Sequence, residues 1–195
     1  MVDDENGRAA SHRRGDGEES PIRCAVLGNA GGGKSILARS MSSKLGLPLH
    51  EIDAFLWKEG WQSVPEDDFE RRHDEMMRGD RWIIDGFGTV ASVGARIERC
   101  THVVYVDLPI WLHFALAAER QAAWRAGELK HPPGGLSTPP PTKRLFELMW
   151  RIHTELAPRV KASLERAAEN GCRVEYVESL TRLRALQFDP TLVVR

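Results

Sequence analysis

The sequence predicts an α/β fold, a three-layer αβα arrangement around one five-stranded parallel sheet, and three observations carry the prediction. From residue 21 onward short apolar runs alternate with longer helical patterns, the signature of parallel βαβ units. Two of those runs, Trp82–Ile84 and His102–Val106, are apolar without alternation, as expected for strands covered on both faces. Between the first run and the first helical pattern stands Gly28-Asn29-Ala30-Gly31-Gly32-Gly33-Lys34-Ser35, a full match to G-x-x-x-x-G-K-[ST], the phosphate-binding P-loop. The fold class is therefore that of a P-loop NTPase.

Taken in order, Met1–Ser20 is polar, Gly-containing and aperiodic, and is expected to be a disordered extension. Residues 21–195 are expected to form one domain, since 195 residues with 42% hydrophobic and 28% charged side chains can bury one ordinary core. Ile22–Leu27 is the first strand. The helix after it, Ser35–Leu45, sets Leu37, Met41 and Leu45 four apart on one face and stops at Gly46. Pro48–Ile52 is the second strand. A helix over 65–78 starts from Ser63-x-x-Glu66, read as a capping box with an early proline, and ends at Gly79. Trp82–Ile84 and His102–Val106 are the third and fourth strands, and Ile110–Arg125 is helical. The run His131-Pro132-Pro133-Gly134-Gly135-Leu136-Ser137-Thr138-Pro139-Pro140-Pro141 excludes regular structure, and a loop of that length inside a compact domain predicts a short lid over 126–142. A helix over 142–168 follows, with a kink expected at Pro158. Arg173–Val177 is the fifth strand and Leu180–Leu186 a last short helix.

The chemistry starts at the P-loop. Its glycines let the backbone turn its N–H groups around phosphate oxygens, Lys34 reaches the β- and γ-phosphates, and the Ser35 hydroxyl is placed to ligate Mg²⁺. Gly28, Asn29, Ala30, Gly31, Gly32, Gly33, Lys34, Ser35 and Ile36 form the expected nucleotide-binding set. Two strand ends carry a carboxylate suited to hold Mg²⁺, Asp85 and Asp107. Asp85 is the choice, because Gly86 and Gly88 after it would let a substrate approach the backbone, whereas Asp107 runs into Leu108-Pro109 and reads as a helix cap. Asp53, at the end of the second strand, is positioned to orient Mg²⁺ or to take a proton from a substrate hydroxyl. Trp57 and Trp61, four apart, suit either core packing or stacking on a base or sugar. Phosphoryl transfer also needs cations over the migrating group, and the candidates are Arg96, Arg120, Arg125, Arg151 and Arg159. Of these, Arg120 and Arg125 close the helix that enters the lid loop, where they would reach back over the phosphates.

Other classes are set aside. A net charge of −1 offers no general attraction for nucleic acid or an anionic membrane. Cys24, Cys100 and Cys172 are scattered without a C-x-x-C pair and are expected to be buried reduced thiols of a cytoplasmic protein. No apolar leader and no run approaching 18 apolar residues is present, so neither secretion nor membrane spanning is expected. His50, His73, His113 and His153 have no metal-ligand spacing.

These residues carry a resemblance. The P-loop, His50-x-x-Asp53-x-x-x-Trp57-Lys58-x-Gly60-Trp61, Trp82-Ile83-Ile84-Asp85-Gly86, Arg96-Ile97-Glu98, Asp107-Leu108-Pro109 and Trp150 together span residues 22 to about 185. In that order they resemble adenylate-kinase-like P-loop kinases, and most nearly the bacterial topology modulation and adenylate-kinase-related proteins. The resemblance implies five parallel strands, a substrate-binding segment over 54–80 and a short lid. It also implies that Arg120, thirteen residues beyond Asp107, contacts phosphates. Leu116 stands where the family often carries an arginine that packs on adenine. Phe87-Gly88-Thr89 stands where adenylate kinases place Phe-Pro-Arg, so the arginine that grips a nucleoside monophosphate is missing. The expectation is an ATP- and Mg²⁺-dependent small-molecule phosphotransferase, monomer or homodimer, with a nucleoside monophosphate as the first acceptor to consider. A hydroxyl compound such as a sugar acid or a shikimate-like ring is the alternative, and a nucleotide-binding regulator with little turnover a third reading.

Overall fold

A computed structural model of the chain describes residues 20–134 and 136–194; the extension expected over 1–20 lies outside the described residues up to residue 19. Strand β1 (Ile22–Gly28) runs through the Gly-rich loop into helix α1 (Lys34–Leu45). Strand β2 (Leu49–Glu51) passes directly into the short helix α2 (Ile52–Leu56). A small hairpin follows, β3 (Trp57–Lys58) and β4 (Gln62–Ser63) around the 3₁₀ turn Glu59–Trp61, and then α3 (Glu66–Met76). Strand β5 (Arg81–Asp85) leads to α4 (Val90–Arg99), and β6 (His102–Val106) to α5 (Ile110–Arg125). Beyond the loop after α5, α6 (Thr142–Arg151) continues through a π-helical turn, Ile152–Leu156, into α7 (Ala157–Glu169). Strand β7 (Arg173–Val177), α8 (Leu180–Phe188) and α9 (Thr191–Val194) complete the described chain.

The five main strands form one parallel sheet in the order β2-β5-β1-β6-β7. Successive side chains on each strand point to opposite faces, and the core divides accordingly. Ala25, Leu27, Trp82, Ile84, Val103 and Tyr105 meet Phe69, Val93, Ile97, Val160 and Leu164 on one side, under α3, α4 and α7. Cys24, Val26, Ile83, Val104 and Val106 meet Leu37, Met41, Leu183 and Leu186 on the other, under α1 and α8. The unalternated apolar runs are explained by this two-sided burial. Val26 is level with Asp85, and Gly28 with Val106, so the P-loop and Asp85 emerge side by side at the carboxyl edge of the sheet. In an open α/β sheet that edge, beside the strand from which the order departs in both directions, is where ligands bind.

Several local expectations give way to the tertiary structure. Ser63 does not cap α3: it lies in β4 opposite Trp57, and Pro65 occupies the N-cap position without a side-chain hydrogen bond. The reciprocal capping box is made instead by Thr89 and Ser92 at the start of α4, a helix not among those expected from the sequence. Asp107 does not cap α5 either; Pro109 is at the N-cap, and Asp107 pairs with Lys161 at 2.6 Å. The break in the 142–168 helix comes before Pro158, not at it. A proline has no N–H to give to the carbonyl four residues back, and the chain absorbs this in the π-turn, where the Ala157 N–H reaches Ile152 O. Cys24 and Cys100 are buried, whereas Cys172 is partly exposed.

Candidate active site

The P-loop folds as a cradle at the N-terminus of α1, entered through Gly33 in the left-handed region at φ 72°. At Gly31, with φ +77°, a Cβ would lie 2.6 Å from His113 O and 2.8 Å from Ala117 N, so α5 packs against the loop too closely for any side chain. His113 supports the same loop with its ring, Nδ1 lying 2.9 Å from Ala30 O. Burial is the main reason its pKa falls to about 4, which keeps it neutral beside Lys34. Asn29 is buried and braces the loop from behind: its amide donates to Met149 O at 2.8 Å, and its Oδ1 accepts from the Ala30 N–H. It is not among the pocket-lining residues, whereas Gly28, Ala30, Gly31, Gly32, Gly33, Lys34, Ser35 and Ile36 are.

That pocket, of about 750 Å³, joins the cradle to a second compartment lined by Asp53, Leu56, Trp57, Trp61, Phe87, Arg120, Gln121 and Trp124. Four charges converge where the two meet. Lys34 is half-buried, with its ammonium donating to Asn29 O at 2.7 Å; desolvation lowers its pKa while Asp85 and Asp53 oppose that shift. Asp85 is buried on the α1 side of the sheet, and burial raises its pKa against the opposing Lys34 charge and a hydrogen bond from Ser35. Burial also lowers the pKa of Arg120, with Asp53 and Asp85 working the other way. Asp53, which was expected to end the second strand, sits in the first turn of α2 just beyond it and still lines the pocket.

The donor set fits phosphate and Mg²⁺. Asp85 Oδ1 is buried without a hydrogen-bond partner among the described residues, next to the Ser35 hydroxyl. An orphaned carboxylate oxygen is costly unless something charged completes it. Among the described residues no group of three or more His, Cys, Asp or Glu is arranged to hold a metal alone. Mg²⁺ needs only one or two protein oxygens, its remaining positions being filled by phosphates and water.

The other predicted cations separate. Arg125 does not line the pocket; it donates to Thr142 Oγ1 at 2.7 Å and ties the end of α5 to the start of α6. Arg151 is exposed and lies 3.8 Å from Glu155, and Arg159 is exposed on α7. Arg96 is fully buried and donates to the carbonyls of Gly86 and Phe87, so it shapes the loop after β5 from inside. Gly88, expected to open the backbone to a substrate, is also required by packing: a Cβ there would meet Ser92 Oγ at 2.6 Å.

The loop between α5 and α6 lies against the hairpin. Glu59 accepts from the Ser137 hydroxyl at 2.5 Å and from its N–H at 3.2 Å, and Trp61 Nε1 donates to Thr138 O at 2.9 Å. Trp57 and Trp61 are therefore not a helical i, i+4 pair but neighbours across the hairpin, with ring centroids 5.8 Å apart; Trp61 in turn meets Trp124 edge-on at 6.0 Å. Spacing alone could not bring Phe87, from the loop after β5, together with Gln121 and Trp124 of α5 in this compartment.

No family model matches the chain, and no curated protein matches it. Among solved structures, a shikimate kinase from Bacteroides thetaiotaomicron is similar with a TM-score of 0.54 at 12% identity, over 89% of this chain and 98% of that one. A shikimate kinase from Acinetobacter baumannii in complex with shikimate is similar with a TM-score of 0.52 at 12% identity, over 90% of this chain and 97% of that one. At such identity the likeness shows the fold alone, a three-layer αβα P-loop fold. Among the described residues no helix is long and apolar enough to cross a membrane.

Proposed function

We propose that this chain is an ATP- and Mg²⁺-dependent small-molecule kinase whose acceptor is a hydroxyl group, with Asp53 as the general base. The observation that carries the reading is the position of Asp53: a carboxylate in the acceptor compartment, electrostatically coupled to Lys34 and Arg120 across the junction with the phosphate cradle. A carboxylate there suits a hydroxyl that must lose its proton and repels a phosphate dianion. The nucleoside monophosphate reading lacks a corresponding support, because the loop after Asp85 carries Phe87-Gly88-Thr89 without an arginine. The similar solved structures described as shikimate kinases belong to the hydroxyl-acceptor class, which is consistent with this choice.

The steps follow from the residues. The P-loop N–H groups and Lys34 hold the β- and γ-phosphates, while Ser35 and Asp85 would hold Mg²⁺, which supplies charge to the phosphate oxygens. The acceptor hydroxyl loses its proton to Asp53 as its oxygen bonds to the γ-phosphorus. The bond from that phosphorus to the bridging oxygen breaks, and ADP leaves with the electron pair. Arg120 and Lys34 stabilise the negative charge spread over the migrating group. The lid loop, latched to the hairpin through Glu59 and Trp61, keeps water from competing for the phosphoryl group.

The test is a panel of acceptors with purified protein and ATP-Mg²⁺, read as ADP formed above the acceptor-free rate. Asp53→Asn should lower kcat with the best acceptor by 10²-fold or more, the range of general-base contributions, and change acceptor KM much less. A hydroxyl acceptor turned over equally well by Asp53→Asn would remove Asp53 from the mechanism. Turnover of monophosphates alone would remove the hydroxyl reading.

A further inference from the structure

We propose that the acceptor is a nucleoside, an alcohol carrying a planar ring with a hydrogen-bond donor on its edge. This rests on the hydroxyl-acceptor reading and narrows it. The first observation is the wall of the acceptor compartment. Leu56, Trp57, Trp61, Phe87 and Trp124 give it a surface of rings and aliphatic carbon, with Arg120 over the Trp124 ring at 5.7 Å and Glu128, Lys130 and Arg144 elsewhere in the same lining. Against those five apolar side chains a polyhydroxy acid would leave hydroxyls without partners, and burying an unpaired hydroxyl is unfavourable. A flat ring covers such a surface at no polar cost and gains offset or edge contacts with the indoles.

The second observation comes from Gln121, one helical turn before Trp124 on the same side of α5. Its side chain is buried, lines the compartment and donates through Nε2 to Pro140 O at 3.2 Å. That bond settles which end of the amide is the oxygen, because the reverse orientation would set Oε1 against a carbonyl. Oε1 is left without a hydrogen-bond partner among the described residues. A buried amide oxygen of this kind is completed by an N–H, such as the exocyclic amine or ring N–H of a nucleobase.

A third observation is strain in the same wall. Trp61 has φ +59°, a left-handed conformation that bulky residues rarely adopt, and its indole N–H holds the lid loop through Thr138 O. Backbone held in such a state clusters at ligand clamps, where the surroundings over-determine it. Here it fixes an indole between the hairpin, α5 and the lid. The ring would lie against the indoles with its edge toward Gln121, and a sugar hydroxyl would reach Asp53. The transfer is that of the proposed function: the sugar oxygen bonds to the γ-phosphorus, the bond to ADP breaks and the proton goes to Asp53, giving ADP and a nucleoside phosphate.

The experiment has a binding arm and a turnover arm. In the first, tryptophan fluorescence of the full chain is titrated with cytidine, guanosine and uridine in the absence of ATP. In the second, ADP formation is followed with ATP-Mg²⁺ and each nucleoside, with shikimate, gluconate and AMP in parallel. At least one nucleoside should shift the fluorescence saturably and raise ADP formation tenfold or more above the acceptor-free rate. Gln121→Met should raise KM for that nucleoside at least tenfold with a smaller effect on kcat; if that variant does not fold, Trp57→Leu should do the same. Turnover of shikimate or gluconate with none of any nucleoside overturns this proposal and leaves the hydroxyl reading standing. Turnover of AMP alone overturns both, and nucleosides that give neither signal overturn the nucleoside assignment.

Discussion

Replacing His73 by leucine should make the fold markedly less sensitive to acid. His73 lies on α3 with 2% of its surface exposed. Its ring stacks on Phe69 with centroids 5.8 Å apart, and its Nε2 has no hydrogen-bond partner among the described residues. Burial, then the buried Arg96 guanidinium, hold its pKa down to about 4 from 6.5, with Asp74 acting weakly in the other direction. The sign follows from linkage. Between pH 6.5 and about 4 the unfolded chain takes up a proton that the folded chain refuses, so stability present above pH 6.5 is lost as pH falls through that window. At 1.36 kcal/mol per pH unit the full loss is about 3.4 kcal/mol, of which roughly 2.5 kcal/mol is reached by pH 4.5. Leucine cannot be protonated and leaves no orphaned nitrogen. Urea unfolding of both proteins at pH 7.0 and 4.5 isolates this term, because His50, His102 and His113, whose pKa values are also lowered, contribute to both. The loss of stability between the two pH values should be smaller in His73→Leu by about 2 to 3 kcal/mol. Equal losses in the two proteins would mean that His73 is not held neutral, and that a second cation beside Arg96 is tolerated behind the Gly86–Gly88 loop.

Two further outcomes test the site itself. Asp85→Asn should depress turnover far more than Asp107→Asn, since Asp85 lies beside Ser35 at the cradle, whereas Asp107 is engaged with Lys161 in a half-exposed pair worth at most about 1 kcal/mol; steady-state ADP release on both variants decides it, and the opposite ranking would move the Mg²⁺ site to Asp107. Replacing residues 131–141 by a short Gly-Ser linker removes the partners of Glu59 and Trp61 and should lower transfer to the acceptor while sparing or raising acceptor-independent ATP hydrolysis, whereas Arg120→Ala should lower both; a loop replacement that changes neither rate would make the loop an inert insert.

The P-loop was legible because its chemistry is local. Eight consecutive residues must present backbone N–H groups, an ammonium and a hydroxyl to one phosphate chain, and that demand leaves a contiguous pattern. Asp85 was legible for a related reason, as the first polar residue after a strand buried on both faces, and parallel pairing with β1 brings that strand end to the cradle. The C-terminal ends of α1 and α3 followed from glycine and apolar spacing. By contrast, Ser63-x-x-Glu66 and Asp107-x-Pro109 carry the same local signals as true caps, and the fold gives both to other partners.

What the sequence determined by itself was therefore the five strands of the main sheet and the phosphate-binding half of the proposed site, each set by residues within a turn or two of one another. The proposed acceptor half was decided by tertiary structure. Asp53 from α2, Trp57 and Trp61 from the hairpin, Phe87 from the loop after β5, and Arg120, Gln121 and Trp124 from α5 line one compartment although up to seventy-one positions separate them. The same packing buried Arg96 and turned Arg125 away to Thr142, two arginines that look alike in sequence. Side chains so far apart in the chain converge only when the sheet has fixed where each element ends, and that placement leaves no periodic or contiguous trace in the sequence.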